Sequence, residues 1–232
     1  MKGGLFFCTS LFLILVLPLF VFSHQPEMPV TGTIPTLPAS AVTDAPAAAF
    51  YIPNAPIAVW ELGEYEGEFL EGNSDEPVCC ACLIIENTAD KMLEYVCLQL
   101  GELRFVASCI PPKARILILE QNKLKFTNQS LELAGCEAYT FADETPQNRV
   151  YVSTGGERDI LVTNLTDEVI PSVCIRYKQY SPESGLYWGG ITYSIEIKDL
   201  QPEQSLSVSP YRFLTHRSKL IDVKIENEKP ES

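Results

Sequence analysis

With 17 Lys and Arg against 30 Asp and Glu, this 232-residue chain has a formal net charge of −13. An acidic surface of that size repels phosphate backbones and argues against nucleic acid as a partner. The length admits one or two domains, and two histidines, His24 and His216, leave little material for triad chemistry.

At the start, Lys2 precedes an uncharged apolar run from Leu5 to Phe22 that exits through Val21, Phe22 and Ser23. A basic residue, an apolar stretch and a small-residue exit are the parts of a secretory signal. About 18 apolar residues also just suffice to cross a bilayer, so an uncleaved anchor is the rival reading of residues 1–23. Lys2 is the only basic residue before Lys91, so both readings put the rest of the chain outside the cytoplasm. The expected location is extracytoplasmic, either secreted or anchored, with membrane contact only through residues 5–22 if they are retained. Cys8 does not read as a lipoprotein cysteine, because Phe6 and Phe7 stand where small residues are needed.

Residues 24–57 hold seven Pro and seven Ala with interspersed Thr. That composition favours extended polyproline II over helix or sheet, and predicts a disordered stalk. From His24 to Asp90 there are eleven acids and no Lys or Arg, which reads either as a cation-seeking segment or as a solvated spacer. Between 58 and 77, Trp60, Leu62, Tyr65, Phe69 and Leu70 alternate with glutamates. The expectation is a segment laying its apolar side chains on the first folded module.

From Val78 onward short runs rich in β-branched and aromatic residues are separated by Gly, Pro, Asn and Asp. Strands are predicted at 83–85, 95–100, 104–108, 115–120, 150–153, 159–162, 173–177, 190–197, 206–209 and 220–225. No stretch carries a helical period of useful length. The predicted class is all-β.

The chain also repeats itself. Residues 83–100 align without a gap on 160–177, with Asn87/Asn164, Asp90/Asp167, Val96/Val173 and Cys97/Cys174 identical. A fixed offset implies repeated modules. A fainter match follows, Ile110-x-Pro112 against Leu200-x-Pro202, each just before a new strand. Both asparagines follow a strand, where the side chain can bond the backbone two residues on and the main chain can turn left-handed. Asn164-Leu-Thr166 and Asn128-Gln-Ser130 also fit the N-glycosylation pattern.

The order strand, Asn loop, two strands, Leu-x-Pro turn, strand resembles bacterial exported immunoglobulin-like modules of the FxLYD or CARDB kind. Val162, Asn164, Val173, Ile175, Tyr177 and the 200–205 turn carry that resemblance, with 83–120 a looser copy. The run Tyr187–Tyr193 is similar to one in exported Firmicutes proteins. The resemblance implies two tandem immunoglobulin-like β-sandwich modules, at 58–146 and 147–227, with a tail at 228–232. It implies no activity, since fold does not fix function.

Seven cysteines follow Cys8, and an odd number argues against a complete disulfide framework. Cys80 and Cys82 share one face of their strand and Cys79 takes the other. The repeat places acids at the first two positions, so that face is expected to be partly exposed. Two readings stand: buried thiols acting as small hydrophobes, or disulfides, with Cys82–Cys97 and Cys109–Cys136 the candidate pairs. No metal-ligand spacing appears, and no metal or cofactor is expected.

An aromatic group supplies the only candidate ligand surface. Tyr180, Tyr187, Trp188 and Tyr193 bracket an insertion at 178–185 that the first repeat lacks. They read either as a platform for a sugar ring or partner, or as cross-strand packing. No elbow motif or phosphate loop is present, and Gly155-Gly156 and Gly189-Gly190 read as turns or bulges. The expected function is therefore a non-catalytic interaction or structural module meeting a cell-surface protein or glycan. The alternatives are a glycan- or peptide-binding accessory protein using the Tyr187/Trp188 hairpin, and, least supported, an enzyme.

Overall fold

A computed structural model describes residues 50–71, 77–127, 134–143 and 148–226. The expected signal, most of the stalk and the C-terminal tail lie outside the described residues. Those described form thirteen strands and no helix, so the chain is all-β. The strands are β1 (Phe50–Tyr51), β2 (Ile57–Glu68), β3 (Pro77–Asn87), β4 (Leu93–Leu100), β5 (Leu103–Ile110), β6 (Arg115–Leu119) and β7 (Ala134–Phe141). They continue with β8 (Val150–Gly155), β9 (Asp159–Asn164), β10 (Ile170–Ser181), β11 (Leu186–Leu200), β12 (Ser205–Val208) and β13 (Ser218–Glu226).

Three sheets result: β1-β2-β3-β6-β11-β10-β13, β5-β4-β7 and β12-β9-β8. The strands pair in the same order in the two halves of the chain. β2-β3-β6 with β5-β4-β7 in the first half corresponds, strand for strand, to β8-β9-β12 with β11-β10-β13 in the second. The seven-stranded sheet forms because β6 of the first half pairs in parallel with β11 of the second, Tyr187 opposite Ile116 and Trp188 opposite Leu117. The expected boundary at 146/147 thus falls between β7 and β8, while one sheet runs through both halves.

Period-two alternation sets the cores, as strands require. Ala81, Leu83 and Ile85 of β3 meet Val96, Leu98 and Leu100 of β4 in the first core. Val173, Ile175 and Tyr177 of β10 meet Ile160 and Val162 of β9 in the second. The three-stranded sheets lie on opposite faces of the shared sheet. Ile175 faces β9, whereas its neighbour Arg176 reaches Glu94 of β4 and Cys109 of β5.

Asn87 and Asn164 do the same work in both halves. Asn87 Nδ2 donates to the carbonyls of Lys91, Ile110 and Pro111. Asn164 Nδ2 donates to those of Glu168, Leu200 and Gln201. Each Oδ1 accepts the amide two residues on, Ala89 or Thr166. The asparagine therefore ties its loop to the Leu-x-Pro turn. The left-handed backbone expected at the asparagines occurs in that turn instead, at Cys109 and Lys113 and at Asp199 and Glu203. Asn164 is 1% exposed, so its amide is committed to structure and closed to a glycan; Asn128 lies outside the described residues.

Three expectations need correction. The stalk does not extend to 57: β1 pairs with β2, and Ile52 and Ile57 lie in the first core. Prolines at 53 and 56 sit in the turn between those strands, where proline costs no ladder bond. Residues 58–70 do not merely cover the module, because β2 is one of its paired strands. The Cys80/Cys82 face is not exposed either. Both thiols are buried with Tyr65, Phe69 and Leu117 in a third cluster, on the outer face of the shared sheet.

Candidate functional site

A group of bonded polar side chains gathers where β6, β11 and β5 meet. β11 begins as a strand of the first half and ends as a strand of the second. Tyr187 packs on the first core, while Tyr193 and Ile195 pack on the second. Strict alternation would keep residues 187 and 193 on one face. A bulge-like irregularity resolves the conflict by adding three residues to β11 opposite Tyr177–Gln179, an odd number that reverses the alternation. Gly189 takes φ +79° there, and a Cβ on it would come within 2.8 Å of the Leu70 carbonyl oxygen. At Gly190 a Cβ would overlap the Val106 carbonyl oxygen of β5. Glycine is needed at both positions.

The bulge exposes backbone groups that the ladder no longer serves, and two charged side chains serve them, Lys178 buried and Glu71 half-buried. Glu71, at the end of the segment after β2, accepts the Leu119 amide at 2.9 Å, Gly190 at 2.6 Å and Ile191 at 3.2 Å. Lys178 Nζ donates to the carbonyls of Gly189 at 3.2 Å, Gly190 at 2.9 Å and Ile191 at 2.7 Å. Lys178 is completely buried. Desolvation pulls its ammonium down to about 8 against the pull of Glu71. Desolvation also pushes the Glu71 carboxyl up, opposed by its three backbone bonds and by Lys178. Nearby, Ser108 of β5 bonds Thr192 of β11 at 2.9 Å.

A second charged group joins the halves from β10. Arg176 sends Nη1 to Glu94 and Nη2 to Asp222, both at 2.5 Å, and Nη1 also reaches Cys109 Sγ at 2.9 Å. Burial alone would raise the Glu94 carboxyl, but Arg176 and Lys224 hold it below the usual range. Arg176 itself is raised by these acids in spite of its desolvation. The arrangement neutralises charge and fixes orientation. Its cations face acids or carbonyls of the chain itself.

The aromatic group does not assemble as one platform. Tyr180 and Tyr187 pair edge-to-face at 5.1 Å, and the Lys219 ammonium sits 3.5 Å over the Tyr180 ring. Tyr193 stacks instead on Tyr177, at 5.4 Å, nearer the second core. Trp188 turns to the face opposite Tyr187, and its indole nitrogen is buried without a hydrogen-bond partner.

The proposed disulfides fail on geometry. Cys82, Cys97, Cys109 and Cys136 are each free thiols. Cys82 belongs to the cluster on the outer face of the shared sheet, whereas Cys97 lies on the far face of β4, bonded to Glu137 and Arg104. The first core separates them. Cys109 lies on β5 level with Glu94, and Cys136 on β7 level with Leu98, two strands and four residues apart. Strand spacings of about 5 Å across and 3.3 Å along exceed what a disulfide spans. Burial raises Cys80 to about 11 and Cys82 to about 12, which leaves both thiols protonated and unreactive at neutral pH.

Among the described residues no group of three or more His, Cys, Asp and Glu has a metal-binding arrangement. No family model, curated protein or solved structure matches this chain. Sequence reasoning missed Glu71, Lys178, Arg176 and Glu94. The available signal was Lys178, a charge inside a strand of apolar alternation and the first residue of the insertion. The bulge reading of Gly189-Gly190 agrees with the structure.

Proposed function

We propose that the protein is a non-catalytic extracytoplasmic module, two tandem immunoglobulin-like sandwiches held as one unit to present a binding surface outside the cell. The observation that carries this reading is the use made of Glu71 and Lys178. Two charges, desolvated at considerable cost, are spent on β11 backbone groups where the halves join. Arg176, Glu94 and Asp222 brace the same boundary. Such investment makes sense where relative orientation of the halves matters, as in a carrier or presenter. An apolar, uncharged N-terminal run supports export, and the FxLYD/CARDB-like pattern supports the module type. Purified residues 24–232 on peptide and glycan arrays test the reading. Selective binding that survives alanine at His216 supports it; turnover of an array substrate that is lost in that variant overturns it.

A further inference from the structure

The second half has an open slot that the first half fills from its own chain. Between β8 and β13 lies a groove of about 480 Å³ lined by residues 150–152 of β8 and 220–223 of β13. It opens onto the second core, where Val150 is buried and Val152 and Leu220 pack alongside.

The repeat identifies what belongs there. Ile57 and Val59 of β2 lie opposite Asn87 and Ile85, just as Val150 and Val152 of β8 lie opposite Asn164 and Val162. Ala58 and Tyr151 correspond in the same way. In the first half those positions carry β1, with Phe50 opposite Val59 and Tyr51 opposite Ala58. The Ile52 amide closes the pairing on the Ile57 carbonyl. Ile52 is part of the first core and Phe50 packs against it. Among the described residues no strand pairs with the outer edge of β8.

That edge also lacks the usual protections. Exposed strand edges are ordinarily blunted by charge, proline, bulges or shortness. β13 carries Lys219, Asp222 and Lys224 and a register shift, and β12 has four residues. β8 runs Val-Tyr-Val-Ser-Thr-Gly without charge, proline or register shift, and Tyr151 is 54% exposed. The Leu165 amide donates to the Arg149 carbonyl. Antiparallel alternation then turns the backbone groups of Val150, Val152 and Thr154 outward.

We propose that β8 takes up an extended peptide strand from a partner protein, antiparallel, with an aromatic residue opposite Val152 and an aliphatic residue two positions on. This is strand addition to a sheet edge, in which main-chain bonds give affinity and alternate side chains give selectivity. Charge decides the source. A second copy would bring together two chains of net charge −13, whereas a strand flanked by basic residues is drawn to a molecule of that net charge. The proposal rests on reading the chain as an interaction module and names its partner chemistry.

The test uses residues 24–232 and a synthetic Lys-Lys-Ala-Phe-Tyr-Ile-Lys-Lys peptide, followed by calorimetry and amide exchange. Expected are saturable binding, slowed exchange at Val150, Val152 and Thr154, and at least about tenfold weaker binding to Val152→Pro. Val152→Pro removes an outward amide and leaves the β8–β9 bonds, but it also changes the Val152 packing on the second core. A peptide N-methylated at alternate amides must lose binding to the unaltered chain, which keeps the test valid if the proline variant misfolds. No binding, or binding indifferent to both changes, overturns the proposal. A β8-mediated dimer that excludes the peptide overturns the choice of partner. Array ligands that bind without protecting β8 sink the groove alone and leave the module reading standing.

Discussion

Glu71 and Lys178 grip the same three-residue stretch of β11 from opposite polarity. The carboxylate takes the Gly190 and Ile191 amides, and the ammonium takes the Gly189, Gly190 and Ile191 carbonyls. A bulged strand has unsatisfied groups of both kinds, so one charge of each sign completes it. Neither partner is easily dispensed with, since an uncompensated buried charge is more costly than the pair.

Replacement of Glu71 by Gln puts an amide NH₂ against a backbone N–H, because both carboxylate oxygens already accept. It also leaves Lys178 uncompensated. Glu71→Gln and Lys178→Met should each destabilise by about 3–5 kcal/mol. The double variant should cost clearly less than the sum, which denaturant titration of all four proteins measures. Strict additivity would show that the two charges act independently.

Lys178 also gives the stability a recognisable pH dependence. Its folded value, about 8, lies below the ordinary lysine value near 10.4. Between those values the unfolded chain binds the proton that the folded chain has released, so stability rises with pH. Raised Cys80 and Cys82 act oppositely from pH 9 upward, since the folded state holds their protons longer. The stability difference between wild type and Lys178→Met isolates the lysine. It should shift in favour of wild type from pH 7.5 to 9, and a flat difference would contradict the assignment.

Asn87 and Asn164 each donate to three carbonyls from one nitrogen. Alanine at either position leaves buried carbonyls unserved and should cost about 2–3 kcal/mol. Aspartate should be worse than alanine, because it turns a carboxylate oxygen toward those same carbonyls. Thermal melts of the four single variants measure both claims. If aspartate is tolerated as well as alanine, the loop and turn are not tied by this nitrogen.

Alternation in 95–100 and 173–177 carries the core register directly, because one face of each strand is buried and a one-residue slip would reverse it. The Asn loop and the Leu-x-Pro turn were legible as separate repeated motifs, but not as bonded to each other; the bond crosses 23 or more residues. β1 and β7 were missed for local reasons. β1 is two residues beside prolines, and the outer half of β7, Glu137–Phe141, lies exposed, so neither has a buried alternating face. The junction was not legible at all. Glu71 sits in an acidic run that reads as solvated, and only the approach of β11 to β6 turns it inward.

Leu98 and Ile175 occupy equivalent inward positions and are 2% and 0% exposed. Truncation of either to alanine should cost about 2–5 kcal/mol. Cys97→Ser should cost less than about 1.5 kcal/mol, since a hydroxyl can keep both the Glu137 and Arg104 bonds. Equal losses for Leu98→Ala and Cys97→Ser in chemical denaturation would place Cys97 in the core instead.

The sharpest test of how the halves join is Gly190. Ser108 Oγ donates to its carbonyl at 3.3 Å, Glu71 takes its amide, and the Val106 carbonyl occupies the space of a side chain. No flexible side chain can move aside, because the obstructing atom is backbone. Gly190→Ala should therefore part β5 from β11, at a cost near or above the upper end of the usual 1–3 kcal/mol for overpacking. Gly185, in the hairpin loop, has φ +70° but open space where a Cβ would go, so Gly185→Ala should cost only its backbone strain, about 1–2 kcal/mol. Amide exchange distinguishes the two. Gly190→Ala should speed exchange at Leu119 and Ile191 together, the amides that Glu71 holds, while Gly185→Ala leaves them protected. Unchanged protection at Leu119 in Gly190→Ala would mean that β5 and β11 do not meet through this glycine.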